Sequence, residues 1–424
     1  MFDIFLLIFY TLFFIYSFQY ILRKNILFGS IYFFLFIYNI FAQIGYCFVP
    51  ELSEIIKAYF GHNYFYQFYI FNFLSFLTFY VLFKTSFPYL ERIKRYEIVR
   101  VRSSTNYMIF IIIISVMWLF LFFFSITRGN AIDYNTAYDE DYVDAQGPLY
   151  KLFRIGFKLM VPISVILYAQ ARFKSKFNQI SYSSSSLITF IAVAFIGLFL
   201  FLANKLGSRS DIVALTLGVL ILEFKLGLNL KKILTIGALG FGLVLFLLYI
   251  EQTRTESSIE DLSFAHKFLL KDYYAPAHIL YAAMAYDYVK PFEVIQSNIS
   301  NSLIMLNYPY LQAPVTDLFN PGVATRSAGY AFYLFTEGYI FMGNLGFLYN
   351  GFMLMVGLSV WYLIQNSSNK YYNYIIVAIM CTQLANLARN QSSYIYKDIY
   401  IFFIPILVIL YFSSGLRPKF KLLK

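Results

Sequence analysis

Residues 106–127 read NYMIFIIIISVMWLFLFFFSIT, without one charged side chain. A hydrocarbon core of ~30 Å takes roughly 20 apolar residues of helix, with a working range of ~17–25. Within a bilayer each backbone N–H and C=O must find its partner inside the segment, and a helix provides that. This stretch therefore reads as a membrane-crossing helix, and the rest of the chain repeats it. Ten further runs qualify, at about 2–22, 26–49, 63–83, 152–171, 186–203, 211–224, 233–250, 344–365, 372–388 and 396–412. The run at 2–22 is too long and too rich in Phe for a cleaved signal peptide. The run at 211–224 is the shortest, and Glu223 and Lys225 interrupt it.

Composition points the same way. Hydrophobic residues make up 60% of the 424 and charged residues 13%, with a mean hydropathy of +0.64. An average soluble domain is about 45–50% apolar and about 25% charged. A soluble globular enzyme is thereby excluded, and so is disorder, which needs few apolar residues and many charges. Phe and Tyr, at 50 and 40 residues, rise together with Ile, Asn and Lys as in AT-rich coding, so aromatic richness is not taken as a functional signal. Cys47 and Cys381 lie in apolar runs and offer neither a disulfide framework nor metal-ligand spacing. The expected fold is an all-α polytopic membrane protein of about eleven transmembrane helices. Three regions follow: an N-terminal bundle of about eight spans over 1–250, a large extracytoplasmic loop over 251–343, and about three C-terminal spans over 344–424.

Orientation follows from Lys and Arg, which are retained on the cytoplasmic side. Alternating spans put Lys84, Arg92, Lys94, Arg95, Arg100 and Arg102 on the same side as Arg417, Lys419, Lys421 and Lys424. Only Glu91, Glu97 and Glu223 accompany the basic residues of that face among the acids. The N-terminus is then outside and the C-terminus cytoplasmic, in a multi-pass membrane protein. The net charge of +11 belongs to basic inner loops, not to a nucleic-acid site. The cluster at 84–102 suits contact with the anionic inner leaflet, on the order of 1 kcal/mol per charge.

The outer loops differ in size. Residues 50–62 and 389–395 are expected to form short ones, and 128–151 an acidic one containing Asp139-Glu140-Asp141. Residues 251–343 far exceed what a connector needs. Their Tyr, Phe, Leu and Ile predict a partly helical outer subdomain against the membrane surface.

Three places can carry chemistry. The first is the turn Asn204-Lys205-Leu206-Gly207-Ser208-Arg209-Ser210-Asp211. A guanidinium fork matches phosphate, and the start of the following helix favours an anion. Asp211 can orient Arg209; a Ser/Asp helix cap and a snorkelling Arg are the structural alternative. The second is the large loop, with Arg254, Lys267, Lys271, Lys290 and Arg326 as cations and His266 and His278 as titratable groups. A His outside the membrane can serve as a general base. The third is Glu337, on a helix read over 327–341 and followed by Gly343 and Gly346, which allow a break. A carboxylate at the bilayer surface needs solvent or a partner; Arg326 and Arg389 are candidates. No Walker loop, dinucleotide fingerprint or paired-His zinc motif occurs, so no metal and no cofactor are expected.

The Gly207-Ser208-Arg209-Ser210 turn combines with a long late loop closing on Ser327-Ala328-Gly329-Tyr330, Glu337-Gly338-Tyr339 and Phe341-Met342-Gly343-Asn344-Leu345-Gly346. In this the chain resembles the Wzy-type O-antigen polymerases, the oligosaccharide repeat-unit polymerases. The resemblance implies a glycosyltransferase of surface-polysaccharide (lipopolysaccharide O-antigen) biosynthesis in the bacterial inner membrane. It moves glycan from undecaprenyl diphosphate to a sugar hydroxyl of another lipid-linked repeat unit. It assigns Arg209 and Arg326 to the diphosphate, helped by Lys205, Arg254 or Arg389, with His278 as first candidate base and Glu337 as second. The partners implied are undecaprenyl-diphosphate-linked oligosaccharides, membrane lipid and a chain-length regulator protein; nucleic acid is not among them. An O-antigen ligase and a flippase or exporter of lipid-linked oligosaccharide share the architecture and stand as alternatives.

Overall fold

The computed structural model describes residues 2–48, 50–93, 95, 97–100, 104–128, 147–172, 182–206, 208–226, 242, 275–302, 311, 314–315, 332–388, 390–414 and 416–419. Among them six helical stretches are long and apolar enough to cross a membrane: Asp3–Lys24, Tyr66–Arg92, Met108–Thr127, Pro148–Arg172, Ser186–Lys205 and Leu334–Gln365. The chain is thus a largely helical, multi-pass membrane protein. It groups into two compact units that interleave along the sequence. Unit 1 takes Met1–Ile93, Ile259–Tyr362 and Leu384–Ile399, and unit 2 takes Lys94–Ser258, Leu363–Gln383 and Tyr400–Lys424.

Unit 1 begins with α1 (Phe2–Lys24), α2 (Ile26–Phe48) and α3 (Pro50–Arg92). The first two match their expected runs. The third corrects one: residues 50–62, expected as a short loop, continue the same helix. At ~1.5 Å per residue its 43 residues extend ~65 Å, well beyond a bilayer core. Glu51, Glu54 and Lys57 hide that helix from a hydropathy reading, because they mark only where apolar character stops. The three helices pack by aromatic rings. Phe14 stacks on Phe36 at 3.5 Å between centroids, Tyr32 meets Phe76 edge-on at 4.9 Å, and Phe28 meets Phe83 at 5.1 Å.

The expected outer loop supplies α8 (Ala275–Ala285) and α9 (Pro291–Ser302) to unit 1. Ile279–Met284 are completely buried, and Tyr281 stacks on Phe68 of α3 at 4.3 Å. This helix is core of unit 1 rather than a lid laid on its surface. Burial follows from its composition, since Ile279-Leu280-Tyr281-Ala282-Ala283-Met284 has no polar face. Asp287 terminates it with a positive φ of 44°, and the Tyr288 N–H reaches back to the Ala283 carbonyl at 2.8 Å, a Schellman closure.

Next come α10 (Leu334–Met342), a 3₁₀ turn at Gly343–Leu345, and α11 (Gly346–Gln365). The break expected at Gly343 and Gly346 is present, with Gly343 at φ +56°. It is sharper than a kink. Eight residues of straight helix separate Cα atoms by ~12 Å, yet a Cβ on Gly346 would lie 1.9 Å from the Gly338 carbonyl oxygen. The chain therefore folds back, and α10 lies backbone to backbone against the start of α11. Further along, Gly351 lies against Thr78 of α3. Unit 1 is completed by α13 (Leu384–Ala388), which packs on α2, and α14 (Ser393–Asp398), which packs on α9.

Unit 2 contains α4 (Ser104–Thr127), α5 (Gly147–Arg172), α6 (Tyr182–Lys205), α7 (Arg209–Leu226), α12 (Lys370–Thr382) and α15 (Ile404–Ser414). The weakest expected span, 211–224, is a helix here. Its interrupting Glu223 is buried and accepts from the Tyr168 hydroxyl at 2.7 Å and Arg172 Nε at 3.3 Å. Pairing is what permits a carboxylate there. Gly218 brings α7 close to Val165 of α5 and Thr382 of α12. The expected run 372–388 is broken at Gln383 between α12 and α13, and 396–412 is divided by a π turn at Ile399–Phe403. The run 233–250 lies outside the described residues, Gly242 apart.

Among the described residues there is one departure from helix and turn, a two-stranded ladder. β1 (Glu97–Arg100) pairs antiparallel with β2 (Leu416–Lys419), Glu97 opposite Lys419 and Arg100 opposite Leu416. The pairing places 97–100 and 416–419 on one side of any membrane the protein spans. The distribution of Lys and Arg likewise assigns both stretches to one face.

Candidate functional site

The Gly-Ser-Arg-Ser turn joins α6 to α7 in unit 2. Leu206 N–H donates to the Leu202 carbonyl at 2.9 Å and Ser208 N–H to the Ala203 carbonyl at 2.8 Å, closing α6. Ser208 then opens α7, and its hydroxyl donates to the Asp211 carboxylate three residues on. This bond joins two side chains and satisfies none of the helix's free backbone N–H groups. Arg209 is the first residue of α7, whose free N–H groups carry partial positive charge. Its side chain lies outside the described residues. Lys205, the last residue of α6, holds its ammonium 5.5 Å from the centre of the Phe201 ring, a cation–π arrangement.

Glu337 lies in unit 1, in the first turn of α10, and is 1% exposed. Its Oε1 accepts from Asn298 Nδ2 at 2.7 Å, the Tyr349 hydroxyl at 2.6 Å and the Ser392 hydroxyl at 2.7 Å. Its Oε2 accepts from the Ser392 backbone N–H at 2.5 Å. Asn298 also donates to the Tyr349 oxygen at 3.1 Å. Behind this shell Gln391 donates to Ser297, Asn298 and Ser393, and its own carbonyl accepts from Leu311 N–H at 3.2 Å. Four elements thus converge on one carboxylate: α9, α10, α11 and the turn before α14. A carboxylate is an acceptor-only group when ionised, and donors of this kind replace the water it loses on burial.

The expected partners of Glu337 were cations. Arg326 and Arg389 lie outside the described residues, and the partners seen are neutral donors. Its oxygens are already engaged by the protein, which supports the structural member of the two readings raised for it. His278 falls in the first turn of α8, with its side chain outside the described residues. Arg254 also lies outside them, as do Asp139, Glu140 and Asp141. Glu337 and His278 belong to unit 1, and Lys205 and Arg209 to unit 2.

Sequence reasoning missed Asn298, Tyr349, Gln391 and Ser392. Each sits 12 to 55 residues from Glu337 along the chain or bonds across such a gap. A weak signal existed in Gln391-Ser392-Ser393, a polar triplet between two apolar runs. Comparison with family models, with curated proteins and with solved structures returns no match.

Proposed function

We propose that this chain is a polymerase of lipid-linked oligosaccharide repeat units. It transfers glycan from undecaprenyl diphosphate to a sugar hydroxyl of a second lipid-linked unit. The observation that carries the reading is that Arg209 is the first residue of a helix, four residues after Lys205 ends the preceding one. A cation at a helix N-terminus is suited to the charge that builds on a departing diphosphate. The full proposal retains eleven spans, N-terminus outside and C-terminus in the cytoplasm, with the turn facing outward.

In the reaction the acceptor hydroxyl loses its proton to a base as its oxygen bonds to the anomeric carbon. The bond from that carbon to the diphosphate oxygen breaks, and undecaprenyl diphosphate leaves with the electron pair. Arg209 and Arg326 neutralise that leaving group, assisted by Lys205, Arg254 or Arg389. His278 takes the proton. Glu337, second candidate for that task, is better supported as a positioning residue that holds α9, α11 and the 391–393 turn together.

The test uses purified protein in proteoliposomes with a lipid-linked repeat unit as sole substrate. Arg209→Ala should abolish chain extension at unchanged protein level, and His278→Ala should lower turnover more than lipid binding. Full activity in Arg209→Ala removes that residue from the diphosphate site. Full activity in a variant lacking His62, His266 and His278 rules out a histidine base.

A further inference from the structure

The two sides of α9 are reversed relative to a helix lying on water. Its polar side chains turn into the protein: the Ser297 hydroxyl accepts from Gln391 Nε2 at 3.0 Å, and Asn298 Nδ2 donates to Glu337 at 2.7 Å and to the Tyr349 oxygen at 3.1 Å. Its apolar side chains turn out. Phe292, Ile295 and Ile299 share one face at the i, i+3, i+7 spacing and are 74%, 47% and 53% exposed. A surface helix of a soluble domain does the opposite, with its apolar stripe on the core and its polar face in water. In hydrocarbon the observed arrangement is the favourable one, because polar groups there must find their partners within the protein.

The neighbours of α9 point to the same surroundings. α10 and α11 lie in Leu334–Gln365, a stretch long and apolar enough to cross a membrane. The Asn298–Tyr349 bond fastens α9 to the first turn of α11, where Leu348 and Phe352 are also exposed. Charge is confined to the beginning of α9. Lys290 is exposed, its N–H donates to the Ile340 carbonyl at 2.7 Å beside the α10–α11 turn, and Glu293 accepts from the Tyr288 hydroxyl at 2.9 Å. From residue 294 to residue 316 the sequence carries no charged side chain.

We propose that α9 is seated within the bilayer and that Phe292, Ile295 and Ile299 form a surface for lipid acyl chains. Its 12 residues extend ~18 Å at ~1.5 Å per residue, short of the ~30 Å core. The helix therefore enters the membrane without crossing it. Sequence alone put this segment in an outer subdomain against the membrane surface; its reversed faces put it inside. The polar shell around Glu337 then lies directly beneath a lipid-facing helix. The inference stands on exposure and hydrogen bonding, independent of the polymerase reading.

The test is nitroxide spin labelling of the full chain in lipid nanodiscs. Ile295→Cys, Ile299→Cys, Val193→Cys and Ser368→Cys are labelled singly, each in a Cys47→Ser, Cys381→Ala background. Collisions with oxygen, which concentrates in hydrocarbon, are compared with collisions with nickel-EDDA, which stays in water. Val193, exposed on the apolar helix Ser186–Lys205, is the lipid reference, and Ser368, exposed in the turn before α12, is the water reference. The oxygen-to-nickel ratio at 295 and 299 is expected to match Val193 and to exceed Ser368 severalfold. A ratio equal to that at Ser368 puts the stripe in water and overturns the proposal. Few collisions with either reagent mean that a protein surface, a second copy or another partner, covers the stripe, and that also overturns it. A second measurement keeps both native cysteines: the paired change Ile295→Gln, Ile299→Gln should lower the thermal midpoint in nanodiscs, and a midpoint raised or unchanged overturns the lipid contact.

Discussion

Gly346→Ala is expected to leave almost no folded protein in detergent extracts. A Cβ at Gly346 would stand 1.9 Å from the Gly338 oxygen, 2.2 Å from its carbonyl carbon and 2.7 Å from the Tyr339 nitrogen. All three are backbone atoms, so no side chain can swing aside. Overpacking a core by a methylene usually costs about 1–3 kcal/mol; here two helix backbones must separate instead. Their separation also moves Glu337, the residue before Gly338, away from the four donors that hold it. Gly338→Ala meets the reciprocal obstacle, with Asn350 Oδ1 at 2.2 Å and the Gly346 oxygen at 2.4 Å. Gly197 in α6 is the control, because nothing lies within 4 Å of its added Cβ. Gly197→Ala should hold or slightly raise stability, by up to ~1 kcal/mol from helix propensity. Fluorescence-detected size exclusion reads the difference. A Gly346→Ala protein with wild-type elution and midpoint would contradict the backbone contact.

Glu337→Gln should be the most damaging isosteric change in unit 1. Ser392 N–H and Asn298 Nδ2 can only donate, whereas the Tyr349 and Ser392 hydroxyls can turn. If the new amide group faces Ser392 N–H, that donor loses its acceptor. If it faces the other side, Asn298 Nδ2 does. Either orientation leaves an obligate buried donor against a donor, at about 1–3 kcal/mol, beyond the lost charge-assisted strength of the remaining bonds. Glu337→Ala leaves four buried donors without their acceptor, at about 1–3 kcal/mol for each that finds no other partner. Asn298→Asp, which places a second carboxylate beside the first, should be worse than Asn298→Ser. Thermal midpoints in nanodiscs decide it, and an unchanged midpoint in Glu337→Gln would remove the carboxylate from its role as a fastener.

Long apolar runs made much of the helix content legible. The helices Phe2–Lys24, Ser104–Thr127, Gly147–Arg172 and Tyr182–Lys205 bracket runs that hydropathy alone selects. Hydropathy marks where a chain can be buried, not where a helix ends, so the charged first turns of α3 resemble a loop in sequence. Nor does it see breaks inside apolar sequence. Gln383 and the π turn at Ile399–Phe403 interrupt stretches that look uniform. The two-stranded pairing is hidden for the opposite reason: both strands are only four residues long, and only their juxtaposition makes a ladder. At the candidate site Glu337 stood out as a lone carboxylate in an apolar segment, and Gly343 and Gly346 announced the break after it. Its partners did not stand out, because Asn298, Tyr349 and Ser392 meet it only when four elements are folded. The Ser208–Asp211 hydrogen bond is readable directly, since both partners lie within one turn.

The central claim is that this chain extends a glycan. The most direct measurement is a surface-glycan gel from a host lacking the gene, compared with the same host carrying the wild-type gene or Arg209→Ala. The account predicts that the ladder collapses to a single repeat unit on the acceptor, that wild type restores it and that Arg209→Ala does not. Loss of every attached unit, the first included, would contradict polymerisation in favour of a ligase or flippase, and an unchanged ladder would contradict all three.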